Sequence, residues 1–160
     1  MTLARVAWSD PRAVALRDEM DAEMTLLYAD LAAKARPDVT ERMEEVLLLD
    51  PDDVVATVLA FDGERAVGHA VLRPYEGSLE VKRVIVAATH RGRGIARILM
   101  TELETIARQD GVNSIVLHTG VLQVPAIRMY EALGYRPIPY FRGYEAVTDS
   151  VCFEKLLPFG

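Results

Sequence analysis

Sulfur chemistry is nearly absent from this chain: Cys152 is its one cysteine, so no internal disulfide can form. Long apolar runs are missing as well. None approaches the roughly eighteen residues of a membrane span, and Met1-Thr2-Leu3-Ala4-Arg5 lacks the apolar core of a signal peptide, so a cytoplasmic protein with no membrane partner is expected. Histidine is scarce, and His69, His90 and His118 do not stand with cysteines or carboxylates at metal-ligand spacing, so no metal is expected. Positive charge is the minority sign, with 18 Lys and Arg against 24 Asp and Glu, which argues against a nucleic-acid partner. No repeat, low-complexity tract or linker divides the 160 residues, and a single domain over 1–160 is expected.

What is present is an ordinary globular composition, 51% hydrophobic and 26% charged, with its charge unevenly placed. Twelve of the 24 carboxylates lie between Asp18 and Asp53, and five of the 18 basic residues lie between Lys82 and Arg97. A solvated helix face accounts for the acidic run; the functional alternative is that Asp18, Glu19, Asp21 and Glu23 attract a cationic amine.

Pattern and punctuation give the elements. Residues 2–8 read as a strand, and Asp10-Pro11 as an N-cap and first helical residue. Apolar residues then recur at helical spacing up to Arg36-Pro37, a length that leaves room for two helices with a bend around Thr25. Asp38 with Glu41 offers a second helix start, and residues 50–53 a turn. Residues 54–61 and 66–72 read as hairpin strands, 73–78 as a connector, and 79–86 as a central strand. An amphipathic helix follows over 95–109, then a strand at 114–118 that must run parallel to the central one because a helix crosses between them. Residues 125–133 form a short helix, and 135–138 and 151–156 the last two strands.

The turn between central strand and helix is Arg91-Gly92-Arg93-Gly94-Ile95-Ala96. Its glycines keep side chains away from the backbone just where a helix leaves its first N–H groups without partners, which makes an anion site suited to phosphate. A dinucleotide fingerprint would need a glycine at 97, which is Arg97. The pattern Arg91-x-x-Gly94-x-Ala96 resembles instead the coenzyme A pyrophosphate loop of the GNAT superfamily of N-acetyltransferases. Further on, the run from Ala126 to Tyr135 resembles the GNAT segment in which a short helix carries a tyrosine and ends in Gly-Phe or Gly-Tyr. The C-terminal runs 134–139 and 150–155 resemble a bacterial branch of the family.

That resemblance implies an α/β fold with a mixed sheet splayed between two parallel strands, acetyl-CoA as the coenzyme, and direct acetyl transfer to a primary amine. It implies a coenzyme site of Val84, Ile85 and Val86 on the central strand, residues 91–96 of the loop, Gln123 and Tyr130. Many members carry Asn where this chain has Gln123. Tyr130 matches the family tyrosine that gives a proton to the leaving thiolate, the alternative being a tyrosine packed at a helix end. Glu80 lies eleven residues before Arg91, the spacing at which histone-acetylating members carry a general base. It could instead pair with Lys82, which alternation places on the same strand face. His118 closes the parallel strand and is a candidate second base or substrate contact. Arg73, Tyr140, Phe141 and Tyr144, with Arg142, suggest an acceptor with an apolar or carboxylate-bearing part; alternatively the aromatics close the core. A small-molecule amine is the expected partner. Protein lysines or N-termini as acceptors, a regulatory module without turnover, and a homodimer are left open.

Overall fold

A computed structural model describes residues 1–158. Strand β1 (Thr2–Val6) leads into helix α1 (Pro11–Leu27), capped by the Asp10 carboxylate, which accepts from the Arg12 N–H at 2.9 Å. The helical run breaks at Tyr28, three residues beyond the expected bend, and continues as α2 (Ala29–Lys34). Helix α3 (Pro37–Leu47) starts at its proline, one residue ahead of Asp38, because Pro fixes a helical φ and needs no N–H at the first position.

Strands β2 (Ala56–Asp62) and β3 (Arg65–Tyr75) form the expected hairpin, followed by β4 (Ser78–Val86). The connector expected at 73–78 shrinks to Glu76-Gly77, both at positive φ, so Arg73 is a strand residue rather than a loop residue. Pro74 is tolerated there because β2 has ended: the last pair is Ala56 with Leu72, so the N–H that Pro74 lacks would have met no strand. Helix α4 (Ile95–Gln109), strand β5 (Ser114–Gly120), helix α5 (Val124–Ala132), and strands β6 (Arg136–Ile138) and β7 (Ser150–Leu156) complete the chain.

The seven strands form one mixed sheet in the order β1-β2-β3-β4-β5-β7-β6, antiparallel except between β4 and β5. That parallel pairing spans three positions, Leu79 with Ile115, Glu80 with Val116 and Val81 with Leu117. Beyond them the strands part, leaving a split bounded by residues 82–86 and 118–120.

A bulge drives the parting. The β3–β4 register passes from Val71 opposite Lys82 to His69 opposite Ile85, which leaves one extra residue in β4 and Arg83 at a φ of 56°. His69 fixes this kink. Its Nδ1 donates to the Arg83 carbonyl at 2.7 Å, and its Nε2 accepts from Arg17 at 3.0 Å. Burial lowers His69 to about 4, so the ring is neutral, as that pattern of one donor and one acceptor requires.

The two sheet faces are covered differently. Gly68 faces Ile95 and Leu99 of α4, while its neighbour His69 faces α1. The main core has Leu99, Met100 and Leu103 of α4 fully buried against the sheet, with Tyr130, Tyr135 and Phe153, and it also takes in Ala13 and Leu16 of α1. Beneath α3 a smaller cluster joins Val116, Phe141, Tyr144, Val147 and Cys152 to Met43 and Val46.

Candidate active site

The loop at the open end of β4 is a bare backbone hollow. Gly92 and Gly94 have φ of 77° and 76°, a conformation that strains any residue with a side chain, and open space lies where their Cβ atoms would stand. Helix α4 begins at Ile95 with no side-chain cap, so its first N–H groups remain available to an anion. Ile95 is buried, Ala96 half-buried, and Arg93 and Arg97 exposed. The backbone hollow, its free amides and these cations fit a diphosphate.

Arg91, expected in the same role, is turned toward α1. Its Nε donates to the Val86 carbonyl at 3.1 Å, and its Nη atoms grip both carboxylate oxygens of Glu23 at 2.8 and 2.5 Å. Each partner shifts the other: Arg91 lowers Glu23, and Glu23 raises Arg91. Asp21 likewise pairs with Arg83. Two of the four carboxylates considered for attracting an amine are thus engaged in tying α1 to β4 and its loop.

Where β4 and β5 separate, the α1 face carries a buried polar cluster. Glu80 is fully buried; its Oε1 accepts from Arg73 Nε at 2.6 Å and its Oε2 from the Tyr144 hydroxyl at 2.5 Å. The Tyr144 oxygen in turn accepts from Lys82 Nζ at 3.0 Å and Arg73 Nη2 at 3.1 Å. Glu80 therefore pairs with Arg73 across the β3–β4 register, and meets Lys82 through Tyr144. Burial lowers Lys82 to about 8, with Arg73, Arg83 and Arg142 adding to the effect and Glu80 opposing it. Tyr144 is raised by burial and by Glu80, so it keeps its proton. Its ring stacks on His118 at 4.0 Å and 8°. Burial, with Lys82 beside it, lowers His118 to about 3; the ring is neutral, and its Nε2 is buried without a partner.

Tyr130 lies on the other face. It is buried between Tyr135 and Phe153, with ring centroids 5.9 and 6.3 Å away, and burial raises it, so it holds its proton. The Glu80 cluster and Tyr130 therefore stand on opposite sides of the sheet. Val84 and Val86 are half-buried along this opening, with Ile85 buried between them. Gln123 precedes α5 without capping it. Of the loop aromatics, Phe141 and Tyr144 are buried in the smaller core, whereas Tyr140 is half-exposed and donates to the Ser150 carbonyl at 3.0 Å.

A seven-stranded sheet split at its one parallel pair, with a bare-backbone loop at the split, is the arrangement the sequence motifs implied. The family model described as Acetyltransferase (GNAT) family matches residues 14–135. The chain belongs to the GNAT acetyltransferase family. Among GNAT relatives, the IAA acetyltransferase of Azospirillum brasilense is 30% identical over 98% of this chain and 98% of its own length. N-acetyltransferase 8 of Mus musculus is 33% identical over 84 residues; the chain spans 37% of that protein, and 55% of its Homo sapiens counterpart. A Klebsiella pneumoniae structure assigned as an acyl-CoA N-acyltransferase superposes with a TM-score of 0.77 at 29% identity, over 98% of this chain and 97% of that one. A Bacillus subtilis acetyltransferase in complex with CoA shares the GNAT fold at a TM-score of 0.58 and 17% identity, over 67% of this chain and 79% of that one.

Among the described residues, no three His, Cys, Asp or Glu side chains gather for a metal, and no helix is long and apolar enough to cross a membrane. Two features of this GNAT site escaped sequence reading. One is the Glu23–Arg91 clamp, whose partners lie 68 residues apart. The other is Tyr28, whose hydroxyl is buried against Gly120 at the end of β5. Its placement at the break of a long helical run was the signal available.

Proposed function

We propose that this chain transfers an acetyl group from acetyl-CoA directly to the primary amine of a small molecule. The observation that carries this reading is the three-position parallel pairing, which opens the sheet beside the bare loop at the start of α4. In this reading the backbone of residues 92–96 holds the diphosphate, with Arg93 and Arg97 adding charge, and the exposed backbone edge of Val84 and Val86 supports the arm of the coenzyme. Acetyl-CoA supplies a thioester carbonyl open to attack by a neutral amine. Tyr130, protonated and buried on the α4 side of the sheet, supplies the proton that the departing thiolate needs.

Glu80 was expected as the general base. Its complete burial and the occupation of both oxygens give it a positioning role: it fixes Tyr144 and, through that hydroxyl, Lys82. The amine's proton leaves through water in the split. His118 offers a neutral ring nitrogen as a substrate contact rather than a base, because a ring lowered to about 3 is too weakly basic to take the amine's proton.

The experiment is calorimetry with acetyl-CoA followed by thiol-release assays across a panel of primary amines and lysine peptides. Coenzyme binding with turnover on small amines is expected. A folded protein with no affinity for acetyl-CoA, or turnover confined to peptides, would defeat the reading.

A further inference from the structure

Acetyl transfer by itself does not explain the charge of the Glu80 cluster. Around this one carboxylate stand three cations: Arg73 at 2.6 Å, Arg142 with its Nε at 3.0 Å, and Lys82, linked through Tyr144. Excess buried charge of one sign is unfavourable unless something neutralises it. On the outer side the two arginines border a cleft of about 340 Å³ that is also lined by Glu45, Asp50 and Asp53, and these carboxylates offset them. Lys82 does not line that cleft and reaches Glu80 only through the Tyr144 hydroxyl. It is 9% exposed, its Nζ donates to a hydroxyl rather than to a carboxylate, and it is the first β4 residue past the parallel pairing.

Two more polar atoms here lack partners. His118 Nε2 is buried without a hydrogen bond, on the ring stacked against Tyr144. Arg142 Nε is also buried without one; it lies 3.0 Å from Glu80 Oε1 but out of line for donation. A buried polar group left without a partner is destabilising and calls for a ligand or another cause. A neutral imidazole in its Nε2–H form, an arginine N–H and an ammonium are all donors. The ligand that suits donors of this kind is an anion.

We propose that the acceptor carries a carboxylate beside its reacting amine, and that Lys82, His118 and Arg142 bind this carboxylate on the α1 face of the split. Lys82 is the one cation of the three with no carboxylate in direct contact, and its single charge matches a monoanion better than a phosphate. The amine end then lies toward the opening between β4 and β5, where the proposed transfer occurs. This inference rests on the transferase reading and names its substrate class.

The test compares glycine, β-alanine, 4-aminobutyrate and phenylalanine with their primary amides, with phosphoethanolamine as the phosphate arm. Thiol release is measured with acetyl-CoA, and direct binding by calorimetry on protein saturated with CoA. The acids should exceed their amides in kcat/KM or affinity by about tenfold or more, as expected for a desolvated charge pair. Lys82→Met should bring that ratio close to one. Arg142→Met, at a side chain 30% exposed and so tolerant of replacement, should reduce it. Equal acids and amides in both measurements, a ratio unchanged in both variants, or tighter binding of phosphoethanolamine would overturn the site. Acid-selective binding without turnover on any amine would sink the transferase reading and keep the site; turnover blind to the carboxylate would do the reverse.

Discussion

The hydroxyl of Tyr28 fills the space that a β-carbon on Gly120 would need: an added Cβ would lie 1.8 Å from that oxygen. The break between α1 and α2 thus rests on the end of β5, at one border of the split. Gly120→Ala should expel the ring and lower stability, and Tyr28→Ala should recover much of the loss. A double-mutant cycle by urea denaturation should give a coupling of about 1–3 kcal/mol. Additive effects would show that the two residues do not constrain each other.

Arg91 cannot serve Glu23 and a diphosphate equally well. Glu23→Gln should release the guanidinium and tighten coenzyme binding by about two- to fivefold, the modest scale expected of a half-exposed ion pair. Calorimetry with CoA at low and high salt is the check; weaker binding in the variant would mean that the clamp holds the loop in its binding shape.

Removing the charge of Glu80 should act first on stability. Glu80→Gln leaves Arg73, Arg142 and Lys82 without their shared carboxylate, and loss of one partner of a buried pair is destabilising by about 3–5 kcal/mol. Where the variant stays folded, kcat should fall because Tyr144 and Lys82 are no longer fixed. Wild-type stability together with wild-type turnover would remove the residue from both roles.

Tyr130→Phe keeps the ring packed between Tyr135 and Phe153 and removes one proton. It should lower kcat by about 10²- to 10⁴-fold while leaving stability and CoA affinity close to wild type. Unchanged turnover on the best amine would show the tyrosine to be a packing residue.

Acid should destabilise the fold through two histidines. His69 and His118 are lowered from 6.5 to about 4 and about 3, chiefly by burial. Between pH 6.5 and those values the unfolded chain binds protons that the folded chain does not. Stability therefore falls as pH falls, by up to about 2.7 kcal/mol per pH unit when both contribute. Urea midpoints at pH 7, 6 and 5 should decline, and His69→Gln should flatten the slope. A constant midpoint would show that neither ring is held neutral.

Much of the element order could be read from local pattern. Asp10-Pro11, the β-branched run of β4 and the 3.6-residue period of α4 each express a preference of neighbouring residues, so sequence and structure agree there to within a few positions. The connector around Pro74 differs because proline is excluded from a strand only where a partner needs its N–H, and whether β2 reaches that far is a long-range fact.

By itself the sequence determined where a backbone must be bare. Gly92 and Gly94 carry no side chain in any tertiary arrangement, and so they permit the positive φ found at the start of the helix. Tertiary structure alone decided which charges met. Glu80 meets Arg73 through strand register, while Tyr144 with Lys82 and His118, and Arg91 with Glu23, meet where a connecting loop or helix α1 lies against the sheet. Side-chain partners across a sheet depend on which strands lie side by side, and spacing along the chain carries no record of that.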